Sequence, residues 1–198
     1  MMDISMTDTI KTHFFKRLAT LYSEMNRAWK TAADHYGFEC KGCADNCCET
    51  QFYHHTHMER HYLLHGMATL CPLAAEEIRT RAKFVNEVRA LEKTTGEAIR
   101  VMCPLNMNSL CRLYEFRPMI CRLHGIPHEL QRPGYDPVKG AGCKAGAHLF
   151  STIKYHSFDR TPFYSKMAHL EMEYRTAINT KEKIRQTIAE IVVSQEAT

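Results

Sequence analysis

The sequence predicts a mainly α-helical protein, a single helical domain with a cysteine-rich, loop-dominated region set into it. Apolar residues recur every three or four positions in each long segment, and runs that alternate between apolar and polar residues are missing. Most glycines and prolines lie in residues 100–146, which we therefore expect to form loops and single turns. Strands are expected only as short pieces near Phe52 and Leu113.

The first predicted element is a long amphipathic helix. Residues 5–36 contain no glycine or proline. Apolar side chains follow one another through this segment at helical spacing, at Ile10, Phe14, Leu18, Leu21, Met25, Trp29, Ala32 and Tyr36. Gly37 is expected to end the helix shortly before Cys40.

Two helices are predicted in the middle of the chain. The first covers residues 56–67. Pro72 suits the first turn of the second, because its missing N–H is not needed there. Glu76 and Glu77 then lie near the positive end of the helix dipole, and Gly96 is expected to end this helix.

Two further helices are predicted toward the C-terminus. Thr161 followed by Pro162 suits an N-cap and a first helical residue. Asn179, with Glu182 three residues later, resembles a capping box. This pattern predicts a break near Asn179 and a last helix that runs to about Val193.

Composition limits the class of protein. The 198-residue chain is 44% hydrophobic, which is enough for one core, and no apolar run approaches the ~18 residues of a membrane-spanning helix. The first residues show no basic stretch followed by an apolar one, so we expect no secretory signal and a cytoplasmic location. Clustered cysteines in a reducing compartment usually bind metal or carry out redox chemistry.

The net charge of +4 is concentrated in residues 100–146, which carry seven basic and three acidic side chains. Arg112, Arg117, Arg122 and Arg132 supply most of this excess. The arginines either offset thiolate charge at a metal centre, bind an anionic substrate, or form an incidental basic loop. We predict that Arg112, Arg117 and Arg122 tune the metal site electrostatically, because cations interleaved with Cys111 and Cys121 lower the pKa of the thiols. We expect no nucleic-acid partner, because the basic residues form no long run or helical stripe.

Eight of the nine cysteines fall into two groups with short spacings. The first group is Cys40, Cys43, Cys47 and Cys48, and the second is Cys103, Cys111 and Cys121, with Cys143 following in a glycine-rich loop. Short spacings let one turn of backbone present several thiolates to one ion, as zinc and iron–sulfur sites require. We therefore predict that these eight cysteines are metal ligands.

The adjacency of Cys47 and Cys48 limits how the eight thiolates are distributed among metal ions. The side chains of neighbouring residues diverge, so two adjacent cysteines rarely serve as ligands in the same tetrahedral metal site. The cysteines then form two four-ligand sites or one polynuclear cluster. Alternatively, one of the pair is a buried apolar cysteine.

The chain resembles the cysteine-cluster family of zinc- or iron-chelating domains. The CxxCxxxCC signature of that family is matched by residues 40–48, and its second motif by residues 103–105 and 111–122. Cys143 matches the downstream cysteine, so the resemblance covers roughly residues 38–145. It implies a zinc or iron centre and no settled reaction.

The donor chemistry narrows the metal to the same two elements. Soft thiolates suit zinc and iron–sulfur clusters, and they exclude magnesium and calcium as the intended ion. Cys103 followed by Pro104 is similar to ferredoxin-type cluster motifs, while zinc accepts the same thiolates without cluster assembly. The sequence therefore leaves both zinc and iron open as the bound metal. An iron–sulfur cluster is one form of the iron centre.

Several histidines are further candidates for a metal site. His57, His61 and His65 share one face of a predicted helix, with His54 and His55 nearby, so an auxiliary metal site competes with a solvated or partly packed helix face. His124 follows Cys121 closely, which suggests a ligand or a hydrogen-bonding partner of one.

Cys71 and the residues before Cys121 have local interpretations. Cys71 has no short-spaced partner and is expected to be a buried structural thiol. Tyr114, Glu115 and Arg117 either serve catalysis or form a hydrogen-bond and salt-bridge lock that fixes the turn before Cys121, and we favour the lock.

Together these features predict a cytosolic metal-binding protein that holds zinc or iron and supports redox or transfer chemistry. The alternative is a non-catalytic interaction module stabilised by zinc. Along the sequence we expect an N-terminal amphipathic helix (1–37), a cysteine-cluster metal-binding domain (38–146) and a C-terminal helical extension on the same core (147–198). The predicted partner is the metal ion.

Overall fold

The computed structural model describes residues 4–40, 47–97 and 99–194, and this part of the chain is mainly helical, as predicted. It divides into two compact units, each drawn from two stretches of sequence. Unit 1 combines residues 1–45 with 119–182, and unit 2 combines residues 46–118 with 183–198. Within the described ranges, no helix is both long and apolar enough to cross a bilayer.

Helix α1 (Ile4–Tyr36) is the longest element of unit 1, and it confirms the predicted amphipathic helix. Its apolar stripe forms much of the core of this unit, with Leu18, Met25 and Tyr36 fully buried. The helix ends at Gly37, which has a positive φ of 61°. The chain therefore leaves the helix shortly before Cys40.

The other elements of unit 1 are short except for the last. They are α4 (Met119–Leu123), β3 (His128–Leu130), β4 (Val138–Gly140), α5 (Ala147–Thr152) and α6 (Thr161–Ala177). Helices α4 and α6 both pack on α1, and β3 pairs antiparallel with β4. Ion pairs of 2.6 Å link the exposed sides of α1 and α6, between Arg17 and Glu173 and between Lys166 and Glu24.

The described part of unit 2 contains three α-helices. Helix α2 (His57–Ala68) is capped by the Thr56 side chain, and α3 (Pro72–Thr95) ends at Gly96 in the left-handed conformation. These bounds confirm the two predicted central helices. The last helix, α7 (Ile188–Val193), packs against both α2 and α3.

Short elements carry the cysteine-rich segments of unit 2. They are a 3₁₀ turn (Cys47–Glu49), the antiparallel strands β1 (Asn106–Met107) and β2 (Leu110–Cys111), and a second 3₁₀ turn (Tyr114–Phe116). The core beneath them is apolar and includes Leu63, Met67, Ile78, Leu105, Leu113 and Ile191. The loop segments are therefore anchored on a core that the helices build.

The two C-terminal helix starts differ from the prediction. The N-cap of α6 is Arg160, one residue earlier than expected, and Thr161 is the first helical residue. The predicted capping box at Asn179 is wrong, because Asn179 has a φ of 52° and lies just after the end of α6. The capping box is formed instead by Thr187 and Glu190, at the start of α7.

The strands differ in part from the prediction, and so does the exposure of Cys71. A bridge between His54 and Gln186 lies near Phe52, and β1 and β2 lie near Leu113, but β3 and β4 were not predicted. The expectation of a buried Cys71 is wrong. Cys71 is the N-cap of α3 and is exposed, because a residue in this position precedes the first helical turn and is not covered by it.

We predict that Gly66→Ala destabilises unit 2. A Cβ on Gly66 would lie 2.4 Å from Cγ and 2.8 Å from Cβ of Phe116, so the 3₁₀ turn would have to move away from α2. The expected loss is about 1–3 kcal/mol of unfolding free energy, measured by urea denaturation followed by circular dichroism. In a Phe116→Ala background the same substitution should cost less, and equal costs in both backgrounds would contradict this contact.

Candidate metal centre

The structure divides the predicted ligands between the two units. Unit 1 holds Cys40, Cys121 and Cys143, which we call the unit-1 cysteine set, and unit 2 holds Cys48, Cys103 and Cys111, the unit-2 cysteine set. Cys43 and the side chain of Cys47 lie outside the described part of the chain. The seven described cysteines, including Cys71, are thiols and not disulfides.

Backbone hydrogen bonds join the unit-2 cysteine set. The N–H of Cys103 donates to the carbonyl of Cys48 at 2.8 Å, although 55 positions separate the two residues. The carbonyl of Cys103 accepts from Asn106 at 3.0 Å, and Asn106 is the strand partner of Cys111. Three cysteine-bearing segments from separate stretches of sequence are therefore joined through their backbones, although the described side chains form no group of three that is arranged to hold a metal ion.

The Cys103 thiol lies in an environment that resists ionisation in the absence of a metal. Burial against the apolar core raises the pKa of Cys103 to about 12, and the neighbouring Cys48 and Cys111 thiols contribute in the same direction. A hydrogen bond from the Leu105 N–H and the positive charge of Arg81 act in the opposite direction.

Arg81 is a site residue that the sequence analysis missed. It lies on α3 and donates a hydrogen bond to the carbonyl of Asn106, beside the unit-2 cysteine set. The signal was present in the sequence, because Arg81 falls on the same helix stripe as the buried Ile78 and Val85. A cation on an otherwise apolar stripe indicates a specific polar contact.

Arg89 holds both cysteine-bearing segments of unit 2 against α3. Its guanidinium donates to the carbonyl of Ile99 at 2.9 Å and to the carbonyl of Glu49 at 3.3 Å. It also forms a 2.7 Å ion pair with Glu92, and Arg100 pairs with the Glu49 carboxylate at 2.5 Å. The positions of Cys48 and Cys103 therefore depend on one side chain of α3.

In unit 1, Cys121 lies on α4, which is fastened to α1. The indole of Trp29 donates to the carbonyl of His124 at 2.8 Å, and the buried guanidinium of Arg122 lies 4.0 Å from the centre of the Tyr22 ring. Arg122 also reaches the Asn26 side chain at 3.4 Å. These contacts set the orientation of the short helix.

The segment that carries Cys143 lies next to the end of α4. The N–H of Cys143 donates to the carbonyl of Gly125 at 3.0 Å. Gly142 is required there, because it has a φ of 83° and a Cβ would lie 2.9 Å from that same carbonyl. The Phe38 ring, two residues before the exposed Cys40, also packs against Gly125.

A buried arginine, Arg160, lies beside the C-terminal end of α4 in unit 1. Arg160 is 4% exposed and donates to the carbonyl of Leu123, two residues after Cys121. Burial lowers the pKa of Arg160 to about 10. Burial, and then the charge of Arg160, lower the pKa of His124 and of His128. Sequence analysis considered His124 and missed Arg160, which no local pattern marks.

The arginines that were predicted to tune the metal make mostly structural contacts. Arg112 is exposed, and its backbone N–H donates to Leu105 at 2.8 Å. The guanidinium of Arg117 lies 3.8 Å from the centre of the Tyr114 ring, a cation–π contact within this turn, while the hydrogen-bond and salt-bridge lock stays a prediction. The electrostatic role of these arginines stays a prediction.

The histidines of α2 do not form a metal site in the structure. His57 is buried and its ring lies 6.2 Å from that of His61, while the ring of His65 lies 6.0 Å from that of Phe116. More generally, residues 4–40, 47–97 and 99–194 contain no group of three or more His, Cys, Asp or Glu side chains arranged to hold a metal ion. The packed-face interpretation therefore fits these histidines better.

Comparisons with known proteins gave no relative. No protein-family model matches the chain, and no curated protein or solved structure does so either. The resemblance to the cysteine-cluster family thus stays a prediction that depends on the cysteine spacings and the residues around them.

We predict that Arg89→Met loosens the unit-2 cysteine set. The substitution removes the donors to Ile99 and Glu49, which should lower the unfolding free energy by roughly 2 kcal/mol and increase the alkylation rate of Cys103 several-fold. Peptide mapping after iodoacetamide treatment measures the rate. Arg79→Met is the control on the same helix, since within the described part of the chain the Arg79 side chain forms an ion pair with Glu76 alone, at 3.4 Å. An unchanged Cys103 rate in Arg89→Met would contradict the assignment.

We predict that His54 makes the protein sensitive to acid. Its side chain is 3% exposed, its Nε2 has no hydrogen-bond partner among the described residues, and burial lowers its pKa. The unfolded chain therefore binds more protons as the pH falls below about 6.5, and stability is lost over that range.

The test compares His54→Phe with the wild type in urea denaturation between pH 7.5 and 5. The variant should lose less stability on acidification, because the remaining histidines are common to both proteins. His148→Gln, a change at an exposed histidine, should keep the wild-type pH dependence. Parallel curves for wild type and His54→Phe would show that His54 has no such role.

Proposed function

We propose that this protein binds zinc or iron through cysteine thiolates, in a reducing compartment such as the cytoplasm. The observation that carries the proposal is the set of backbone contacts in unit 2. The Cys103 N–H donates to the Cys48 carbonyl, and the Cys103 carbonyl accepts from Asn106, the strand partner of Cys111. Thiolates are the donors that these two metals prefer over magnesium or calcium. The predicted ligand set also includes Cys43 and Cys47, so the described thiols are part of it and not the whole.

The surroundings of the unit-2 cysteine set suit a centre of several thiolates. A divalent metal with three or four thiolates carries net negative charge, and Arg81 supplies a nearby positive charge. The Leu105 N–H donates to the Cys103 sulfur, which favours the thiolate over the thiol. A bound cation would replace the thiol protons, since metal binding to cysteine releases them.

A redox or transfer centre and a zinc-stabilised interaction module both use these ligands. The metal itself distinguishes them, because an iron–sulfur cluster supports electron transfer and zinc has no redox chemistry. A broad visible absorption band with inorganic sulfide would support the first function. A colourless protein that contains zinc would support the second.

The test of the proposal is metal analysis of protein purified without oxygen. We expect bound zinc or iron in the wild type and a clear loss in Cys103→Ser combined with Cys111→Ser. Cys71→Ser is the matched control, because Cys71 is exposed and lies outside both cysteine sets. The absence of both metals from the wild type, with disulfides formed instead, would overturn the proposal.

Removal of the metal should loosen the cysteine segments more than the helices. Structural zinc contributes roughly 10–16 kcal/mol to folding in small metal-dependent domains, which is comparable with the whole stability of a domain. Hydrogen exchange after chelation should therefore speed up in residues 38–48 and 100–146 while the amides of α1 and α3 stay protected. Equal acceleration throughout the chain would contradict this local role.

A further inference from the structure

We infer that Cys48 and Cys103 form a reversible disulfide when the protein meets a small-molecule disulfide such as oxidised glutathione. The pair is then a redox-sensitive modification site, and it lies entirely within unit 2. Both residues are thiols in the structure, and both are half-buried. The inference goes beyond the proposed metal binding and does not depend on it, because the bond requires only two thiols and an oxidant.

The backbone holds the Cα atoms of the two residues within bridging distance. The Cys103 N–H donates to the Cys48 carbonyl, with 2.8 Å between the nitrogen and the oxygen. Standard bond lengths place the Cys103 Cα about 1.5 Å from that nitrogen and the Cys48 Cα about 2.4 Å from that oxygen. The two Cα atoms are therefore at most about 6.7 Å apart. Disulfides join Cα atoms that lie about 4.4–6.8 Å apart, so this pair can be bridged without backbone movement.

Two arginines hold the same segments together independently of that hydrogen bond. Arg89 donates to the carbonyl of Glu49 at 3.3 Å and to the carbonyl of Ile99 at 2.9 Å. Arg100 forms an ion pair of 2.5 Å with the Glu49 carboxylate. The segment after Cys48 and the segment before Cys103 are thus fixed side by side, although 55 positions separate the two cysteines. Folding has already closed this loop, which raises the effective concentration of one thiol at the other.

The distance limit applies to Cys48 and Cys103 and does not extend to Cys111. Cys111 is joined to the pair one step further away, because it is the strand partner of Asn106. The N–H of Asn106 donates to the Cys103 carbonyl at 3.0 Å. The contact geometry therefore selects Cys48 as the partner of Cys103.

The reaction is thiol–disulfide exchange. The thiolate of one cysteine attacks a sulfur of oxidised glutathione, the S–S bond of glutathione breaks, and one glutathione thiolate leaves. The thiolate of the second cysteine then attacks the protein sulfur of this mixed disulfide and displaces the second glutathione. Two cysteine thiols are oxidised to one disulfide, and one glutathione disulfide is reduced to two thiols, which take up the two cysteine protons.

The experiment maps disulfides in full-length wild-type protein, both as purified under reducing conditions and after chelation. Each sample is equilibrated in glutathione buffers of increasing oxidised fraction, digested with trypsin without reduction, and examined by mass spectrometry. We expect a cross-link between the peptide of residues 42–60 and the peptide of residues 101–112, which disappears on treatment with dithiothreitol. Only glutathione adducts, or no cross-link in the most oxidising buffer, would overturn the inference.

Single variants identify the pair, because the two peptides together contain five cysteines. Cys48→Ser and Cys103→Ser should each remove the cross-link. Cys47→Ser and Cys111→Ser are matched controls on the same two peptides and should keep it. A cross-link that persists in Cys48→Ser would show that Cys103 pairs with another cysteine, which would overturn the inference. Metal content does not enter these outcomes, so a wild type without metal would overturn the proposed function alone.

Urea denaturation provides a second measurement on the wild type. The cross-linked protein should require more urea to unfold than the reduced, chelated protein, because the disulfide constrains the unfolded chain. In Cys48→Ser the same oxidising buffer should leave the urea midpoint unchanged. An unchanged midpoint in cross-linked wild type would contradict a disulfide that fits the folded backbone.

Discussion

The hydrogen bond from the Cys103 N–H to the Cys48 carbonyl, 2.8 Å long, is the contact on which the cysteine region of unit 2 depends. It joins two loop segments that have little regular structure of their own. Arg89 on α3 supports both sides of this bond through the carbonyls of Glu49 and Ile99. The helix therefore acts as a rigid base, and the loops take their positions from it. Sites that are held in this way are more precise than sites on unsupported loops.

The charges near the thiols come from the helical framework and not from the cysteine segments. Arg112, Arg117 and Arg122 stand beside cysteines in the sequence, but two of the three contact aromatic rings. The cation that influences Cys103 is Arg81, which is 22 positions away on α3. A charge on a helix that is already packed costs little side-chain reorganisation, because its position is set before any ligand arrives. For Cys103, proximity in sequence was therefore a poor guide to the electrostatic partner.

The long helices could be predicted from the sequence because their signals are local. The apolar spacing of α1, the stop at Gly37 and the proline at the start of α3 depend on neighbours within a turn or two. The strands β3 and β4 and the buried Arg160 depend on residues more distant in sequence. The false capping box at Asn179 shows the same limit, since a matching pair of residues specifies a cap only where the backbone enters a helix.

The cysteine spacing predicted a metal site, and the fold changes what the spacing means. The eight predicted ligands form two groups in the sequence, yet the division into units places Cys121 and Cys143 with Cys40, and Cys103 and Cys111 with Cys48. Each set then joins one early segment to one late segment of the chain. Closing such long loops is entropically costly, and a metal that bridges them can offset this cost more effectively than one bound within a single turn.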